Sequence, residues 1–300
     1  MALSASLLIG ALAAGLLLAA APAVADDPDL GLRLPIPPQA PMMEGLADLG
    51  AVKLWYWDTG GTGEVVVFLH PGSGSAELYP YQQPVFVNAG YRVISYSRRG
   101  HFKSETGSDV DTFFAADDLL ALMDHLEVDK FHAVGNALGG YVALDVALSK
   151  PERVRTLVLA SSMMGIAEPE YQKTLQALRP KPFGELPTEV QEIGPSYRVA
   201  NPSGLAEWKA RHERAADKRA PVRLRNKLTW ESIAALKVPT LLMTGDADLW
   251  IPPALLYQVS GKFPDGEVTI VRDAGHAIQW ERPVIFNAHV LDFIGRRGKR

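Results

Sequence analysis

An alanine occupies a position whose neighbours are typical of a serine nucleophile. Ala137 lies in the sequence Gly-Asn-Ala-Leu-Gly-Gly, residues 135–140, between a short apolar run and a helical pattern. Small residues at such a strand-to-helix turn are typical of the G-x-S-x-G nucleophile elbow, whose central side chain points into the reaction pocket. Because a methyl group cannot attack a carbonyl, Ala137 cannot form an acyl-enzyme.

A carboxylate and a histidine that could act together follow later in the chain. Asp248 ends the sequence Gly-Asp-Ala-Asp at residues 245–248, and His276 ends Asp-Ala-Gly-His at residues 273–276. A carboxylate beside an imidazole selects its tautomer and stabilises the imidazolium, which makes the histidine an effective general base. Asp246, two residues before Asp248, is the competing acid.

The elements needed to position these residues alternate along the chain. Short, continuously apolar runs separated by helical patterns are typical of a parallel sheet that is buried on both faces. The sequence predicts helices over residues 113–126 and 138–148, where apolar residues recur at close to helical spacing. It predicts strands at residues 51–57, 64–69, 92–97, 130–134, 154–160, 239–244 and 267–271.

Three other segments complete the predicted organisation. Residues 26–45 are rich in proline and are interpreted as a linker. Residues 162–238 interrupt the alternation with polar, proline-punctuated helical sequence, which we interpret as a helical cap over the carboxyl edge of the sheet. The alternative interpretation of residues 162–238 is a loop-rich segment that has no role at the site. The two segments 46–161 and 239–300 then form the core domain.

Four separated motifs resemble those of the α/β-hydrolase superfamily, in the same order and over about residues 53–294. They are a strand followed by His-Pro-Gly-Ser-Gly at residues 70–74, the turn Ser-Arg-Arg-Gly-His at residues 97–101, the elbow, and the acid–histidine pair. The resemblance implies an α/β-hydrolase fold, a mostly parallel central sheet flanked by helices with an inserted helical cap. This chain departs from the family pattern at Pro71, Ser97 and Ala137.

The resemblance also implies roles for individual residues. The backbone N–H groups of Gly72 and Leu138 would form the oxyanion hole, with Ser73 as a neighbour that contacts substrate. His276 would be the base, Asp248 its acid, and Ala137 the substituted nucleophile position. A glycine-rich turn without a ligand is the alternative for residues 70–74. Tryptophans could line an apolar pocket, Trp250 first among them, although tryptophans also serve as plain core packing.

The N-terminus and the composition limit localisation and partners. Residues 1–25 are uncharged and apolar and end in Ala-Val-Ala before two aspartates, which predicts a signal peptide cleaved near Ala25 and export to the periplasm or medium; an uncleaved membrane anchor is the alternative. The membrane is expected to matter only through this signal. A net charge of −4 does not support nucleic-acid binding, and the absence of cysteine excludes disulfides, thiol nucleophiles and thiolate metal sites. No motif implies a metal or another cofactor.

Three explanations of Ala137 remain open at this point. The chain could be a serine hydrolase inactivated by a Ser→Ala substitution, a ligand-binding protein that has lost catalysis, or an enzyme in which His276 acts directly as general base. The surviving acid–histidine pair and oxyanion donors favour the third. We therefore expect an exported hydrolase for a small apolar carbonyl substrate such as an ester, a lactone or a C–C bond beside a carbonyl group.

Overall fold

A computed structural model describes residues 34–215 and 220–299, which contain one eight-stranded sheet. The strands lie in the order β1-β2-β4-β3-β5-β6-β7-β8. The pairs β1–β2 and β2–β4 are antiparallel and the remaining pairs are parallel. The bounds are β1 Met43–Asp48, β2 Lys53–Asp58, β3 Val65–Leu69, β4 Arg92–Tyr96, β5 Phe131–Asn136, β6 Val154–Ala160, β7 Thr240–Gly245 and β8 Gly266–Val271.

The central strands were predictable because they are buried on both faces. Every residue of β3, β5 and β7 is buried, so apolar side chains occupy successive positions instead of alternating ones. All seven predicted strands are confirmed, with ends that agree within two residues. The eighth strand, β1, was missed because it is an exposed edge strand that mixes apolar and charged residues.

Helices cover both faces of the sheet. Their bounds are α1 Gln83–Asn88, α2 Ala115–His125, α3 Leu138–Ser149, α4 Pro169–Leu178, α5 Thr188–Glu192, α6 Pro195–Ala200, α7 Pro202–Ala215, α8 Trp230–Ala234, α9 Pro253–Ser260, α10 Ile278–Glu281 and α11 Pro283–Arg297. The predicted helices at residues 113–126 and 138–148 correspond to α2 and α3. The expected α/β-hydrolase fold, with its mostly parallel sheet and flanking helices, is confirmed.

The inserted helical region lies between β6 and β7. It contains α4 to α8, and we call this region the cap. A cluster of buried apolar side chains joins the cap to the core, with Ile193, Tyr197 and Trp208 on the cap side and Leu78 and Trp280 among the core residues. Because aromatic side chains bury large areas, this cluster helps to seat the cap near the sheet edge, and Tyr171, Leu175 and Ile233 of the cap pack into the larger core cluster.

The proline-rich segment is packed against the protein from residue 34 onward. The Tyr81 hydroxyl donates a hydrogen bond of 3.0 Å to the carbonyl of Leu34. The amide of Gln83 forms two hydrogen bonds of 2.8 Å with the backbone of Ala40. Strand β1 begins at Met43, two residues before the predicted end of the linker at residue 45.

The predicted signal peptide, residues 1–25, lies outside the described residues. Within the described part of the chain, no helix is long and apolar enough to cross a membrane.

Candidate active site

The elbow keeps its strained backbone although its hydroxyl is missing. Ala137 sits between β5 and α3 with φ 48° and ψ −115°, a conformation that is unfavourable for any residue with a Cβ atom. Its N–H donates to the carbonyl of Ala160 on β6 at 2.9 Å. The half-buried methyl group therefore occupies the position from which an elbow side chain points into the pocket.

Glycines allow the backbone around the elbow to pack closely. A Cβ atom on Gly139 would overlap the carbonyl oxygen of Leu69 at the end of β3, and one on Gly135 would lie 2.5 Å from the carbonyl oxygen of Gly139. Helix α3 can therefore begin directly beside the end of β3 only because these positions carry no side chain.

Gly72 and Leu138, the residues predicted to supply the oxyanion donors, are in contact. A Cβ atom on Gly72 would be 3.3 Å from Cδ2 of Leu138, so the turn after β3 touches the first residue of α3. The N–H of Leu138 is one of the helix N-terminal donors that have no partner within the helix, which suits it to donate a hydrogen bond to an oxygen that develops negative charge. Both residues are half-buried, so a substrate oxygen could reach them.

Buried polar groups hold the turn that carries Gly72. His70 is fully buried, and its Nε2 accepts a hydrogen bond of 2.9 Å from the backbone N–H of Arg98. The Arg98 guanidinium in turn donates to the carbonyl of Pro71 at 2.9 Å. Arg98 of the motif at residues 97–101 thus supports the oxyanion turn, and His101 of the same motif lies 2.7 Å, through Nδ1, from the carbonyl oxygen of Gly74.

His276 and Asp248 form a buried pair at the carboxyl edge of the sheet. Nδ1 of His276 lies 2.9 Å from Oδ2 and 3.1 Å from Oδ1 of Asp248. The carboxylate also accepts hydrogen bonds from the backbone N–H groups of Trp250, at 2.7 Å, and Ile251, at 3.2 Å. A carboxylate with these partners is held rigidly, so Nδ1 carries the proton and Nε2 is the nitrogen that faces other groups.

The competing acid takes a different position. Asp246 is exposed, and its carboxylate accepts a long hydrogen bond of 3.4 Å from the backbone N–H of Ala274. It therefore supports the loop that leads to His276 but does not contact the imidazole.

The surroundings of His276 favour its charged form. Burial alone would lower the pKa of this imidazole, but the charge and hydrogen bond of Asp248 outweigh it. The charges of Glu192 and Glu281 add to the effect, so the net result is a raised pKa. The neutral form, which can accept a proton, consequently predominates only at higher pH than for an ordinary histidine.

The cap contributes a carboxylate that the sequence did not reveal. Glu192, the last residue of α5, is 9% exposed, and its Oε2 accepts a hydrogen bond of 2.9 Å from the Ser73 hydroxyl. The same oxygen lies 3.7 Å from Nε2 of His212 on α7. The backbone carbonyl of Glu192 accepts from the N–H groups of His276, at 2.8 Å, and Ala277, at 3.0 Å. Glu192 therefore touches the histidine loop and the oxyanion turn at once.

Glu192 is held in its ionised form. Burial would raise the pKa of this carboxyl, but the hydrogen bond and charge of His212, the charge of His276 and the Ser73 hydroxyl lower it below its ordinary value.

A second buried carboxyl fastens the cap to the histidine loop. Glu281 on α10 accepts hydrogen bonds from the backbone N–H groups of Gly194, at 2.8 Å, and Gly275, at 3.0 Å. Burial is the main cause that raises the pKa of Glu281 to about 7, although these backbone donors oppose it. One side chain thus joins the loop after α5 to the residue that precedes His276.

Trp250, predicted to contact substrate, lies beside the histidine. Its ring centroid is 5.7 Å from that of His276, and its indole N–H has no hydrogen-bond partner among the described residues. Phe183 meets the same indole edge to face at 4.8 Å, and the Arg179 guanidinium lies 4.7 Å from the ring centroid. Trp208 and Trp280 instead lie in the apolar cluster that joins cap and core.

Seven predicted site residues therefore fall into three groups. The first group, at the elbow, consists of Ala137, Gly72 and Leu138. The second consists of the hydrogen-bonded pair His276 and Asp248 together with Trp250, whose indole lies beside the imidazole. The third is Ser73, which is bonded to Glu192 of the cap. Within residues 34–215 and 220–299, no group of three or more His, Cys, Asp or Glu side chains could hold a metal ion.

The fold and the site together define a class of protein. The sequence profile of the alpha/beta hydrolase fold family matches residues 64–283, and the chain belongs to this family. A 2-hydroxy-6-oxononadienedioate/2-hydroxy-6-oxononatrienedioate hydrolase of Paraburkholderia phymatum is 31% identical over 277 residues, which cover 85% of this chain and 94% of that protein.

Two further comparisons agree with this assignment. A 2-hydroxy-6-oxo-6-phenylhexa-2,4-dienoate hydrolase of Comamonas testosteroni is 27% identical, over 81% of this chain and 92% of that protein. The crystal structure of the enol-lactonase from Burkholderia xenovorans LB400 superposes with a TM-score of 0.66 and 21% identity, covering 84% of this chain and all of that one. The chain is thus a distant relative of C–C hydrolases and shares its fold with a lactonase.

Proposed function

We propose that this protein hydrolyses a small apolar carbonyl compound without a serine nucleophile, using His276 as general base. The observation that carries the proposal is the buried contact of 2.9 Å between His276 Nδ1 and Asp248, retained beside an elbow whose residue is alanine. A protein that only bound ligands would not require an imidazole held in one tautomer by a carboxylate that is itself fully engaged.

In the proposed reaction the attacking oxygen comes from water. Neutral His276 accepts a proton from water at Nε2 while the water oxygen bonds to the substrate carbonyl carbon. The N–H groups of Gly72 and Leu138 stabilise the negative charge that develops on the carbonyl oxygen. The imidazolium then returns the proton to the leaving group as its bond to the carbonyl carbon breaks, and Asp248 stabilises the charge on the ring meanwhile.

Without a serine nucleophile, this site is expected to accelerate hydrolysis less than a complete triad does, but still well above the rate in water. In serine hydrolases that have lost triad members, oxyanion hole and binding still accelerate the reaction about 10³- to 10⁴-fold over water. A positioned general base adds roughly 10²- to 10⁴-fold when its pKa suits the working pH. Activated esters, lactones and C–C bonds beside a carbonyl are the substrates for which such a site suffices, and the names of the relatives and the superposed lactonase favour the last two.

A three-protein comparison tests the proposal. The parent, its Ala137→Ser variant and its His276→Ala variant are assayed against one panel of activated esters, lactones and β-diketones. We expect the parent to turn over at least one compound and His276→Ala to lose this activity. Equal background rates for both, with measurable ligand binding, would identify a binding protein instead. A large gain confined to Ala137→Ser would identify an inactivated serine hydrolase, which the preserved elbow geometry also accommodates.

We also propose that the protein acts outside the cytoplasm. The apolar residues 1–25 with their Ala-Val-Ala end support cleavage near Ala25. Mass spectrometry of protein from a native-like host tests this, because a chain that still begins at Met1 would contradict the cleaved signal.

A further inference from the structure

The cap holds the backbone of the loop that carries His276. The N–H groups of His276, at 2.8 Å, and Ala277, at 3.0 Å, donate to the carbonyl oxygen of Glu192, the last residue of α5. Both donors belong to buried residues, and a buried N–H group that loses its acceptor is unfavourable. The position of the His276 backbone therefore depends on this cap residue.

The carboxyl group of Glu281 fastens the same cap loop a second time. Its Oε2 accepts from the N–H of Gly194 at 2.8 Å and from the N–H of Gly275 at 3.0 Å, and the residue is 3% exposed. Gly194 belongs to the cap, and Gly275 directly precedes His276. One buried oxygen thus receives one donor from each side, and separation of the two loops would leave a buried polar group without its partner.

Two glycines allow the backbones of these loops to touch. A Cβ atom on Gly275 would overlap the backbone nitrogen of Gly194. A Cβ atom on Gly194 would lie 2.7 Å from Oε2 of Glu281 and 2.9 Å from the nitrogen of Gly275. Gly194 has φ −57° and ψ 146°, which other residues adopt freely. Glycine is therefore needed at this position for close approach, not for its backbone conformation.

The sheet side holds the backbone of His276 less tightly. Nδ2 of Asn136, the residue before Ala137, lies 3.5 Å from the carbonyl oxygen of His276, a distance typical of a weak hydrogen bond at most. The same Nδ2 donates to the carbonyl of Ala160 at 3.2 Å. The sheet thus holds the imidazole through Asp248, whereas the shorter backbone contacts of His276 come from the cap.

We propose that the cap loop at residues 192–194 positions the catalytic base, and that Glu281 is a positioning residue that couples the seated cap to the placement of His276. The inference rests on the proposed function, because it states when the base of that site is complete. Displacement of the cap loop removes two backbone hydrogen bonds from the histidine loop and loosens the pair of His276 with Asp248. Proton transfer is therefore efficient only while the cap loop is seated.

Gly194→Ala tests the coupling, because it displaces the cap loop without removing any side chain of the site. The added methyl group would meet Glu281 and Gly275 at less than 3 Å, whereas the backbone conformation suits alanine. Gly184→Ala is the matched control. It makes the same change in the cap, at a position where a Cβ atom would meet no atom of the described residues within 4 Å.

Proton NMR of the His276 ring measures the positioning without any substrate. An Nδ1 proton held in a short bond to a carboxylate gives a resonance far downfield, and its absence from His276→Ala assigns it. We expect this resonance in the parent and in Gly184→Ala, and we expect exchange with water to remove it in Gly194→Ala. The kcat/KM of Gly194→Ala should fall about 10²-fold, as for a catalytic group misplaced by about 1 Å, and that of Gly184→Ala should match the parent.

Glu281→Gln is the second variant, and it decides the test if Gly194→Ala does not fold. In either orientation of the amide, its nitrogen faces at least one of the backbone donors, Gly194 N–H or Gly275 N–H, at no more than 3.1 Å. We expect a broadened resonance and a kcat/KM that is about tenfold below that of the parent, since one bond between the loops is weakened.

The outcomes for the coupling and for the hydrolysis can be told apart. A resonance that is missing from the parent, unchanged in both folded variants, or lost equally in Gly184→Ala would overturn the coupling. Loss in Gly194→Ala alone, in a protein that hydrolyses no compound of the panel, would support the coupling and remove only the proposed hydrolysis.

Discussion

The sheet side and the cap side of the active centre position their groups by different means. On the sheet side, Ala137, Asp248 and His276 follow the ends of strands, and local turns set their places. On the cap side, Glu192 and His212 lie on α5 and α7, and only tertiary contacts bring them to the site. The sheet therefore positions the elbow and the acid–histidine pair, and the cap adds a buried carboxylate and an imidazole beside them.

Side-chain and backbone hydrogen bonds join the two sides, and the His276 and Ala277 N–H groups donate to the carbonyl of Glu192. Ser73 bonds to Glu192 at 2.9 Å, and Glu281 bonds to Gly194 of the cap and to Gly275 beside the histidine. Changes on the sheet side should therefore affect the rate, and changes at these joints should affect the stability of the assembled site.

The largest effect is expected on the sheet side, from Asp248→Asn. The amide removes the charge that supports the imidazolium and can stabilise the wrong tautomer, so kcat should fall about 10²- to 10⁴-fold. Steady-state kinetics with the best substrate of the panel measures this. Asp246→Asn is the matched control, because Asp246 is exposed and bonds only a backbone N–H. Equal losses in both variants would show that the pair has no special role.

A smaller effect, on stability, is expected at the joint formed by Glu281. Its pKa is raised from 4.5 to about 7, so its contribution to the free energy of unfolding is present below its ordinary pKa and is lost as pH rises through about 7. The glutamine in Glu281→Gln stays neutral at every pH. Between pH 4.5 and about pH 7, the free energy of unfolding of this variant should therefore fall less than that of the parent, and the difference should be on the order of 3 kcal/mol. Chemical denaturation at the two ends of the range measures the difference. Parallel curves would show that Glu281 does not titrate with folding.

The smallest effect is expected from Ser73→Ala. The change removes the hydroxyl that donates to the buried Glu192 carboxylate. We expect the free energy of unfolding to fall by about 1–2 kcal/mol, since a buried charge loses one hydrogen bond. Ser203→Ala removes an exposed hydroxyl from the cap and provides the comparison. If both substitutions have the same small effect, the Ser73–Glu192 contact does not couple the two sides.

Much of the fold was predictable because its signal is local. Continuous apolar runs are typical of strands buried on both faces, and β3 to β7 have this character. Strand β1 was not predictable in this way, because an edge strand with one exposed side has no strong apolar pattern. Its identity as a strand depends on pairing with β2, in a register that runs from Met43 opposite Asp58 to Asp48 opposite Lys53.

The same distinction explains what was predicted of the site. The elbow and the acid–histidine pair depend on short motifs, and the structure brings their residues together. Glu192 and His212 lie in charged cap sequence that does not differ from a solvated helix face, and Glu281 lies in a short helix after the histidine. Their roles depend on burial, and burial of a charged residue cannot be inferred from neighbouring residues alone.

The pH dependence of kcat/KM tests the central claim, that His276 is the base of a serine-free site. Because the pKa of this imidazole is raised above its ordinary value of 6.5, the neutral form increases only above that pH. We predict that the rate of the parent rises with pH to a plateau, with a midpoint above 6.5, and that the rise is absent in His276→Ala. A parent rate that follows the same pH profile as His276→Ala, at the same level, would contradict the account.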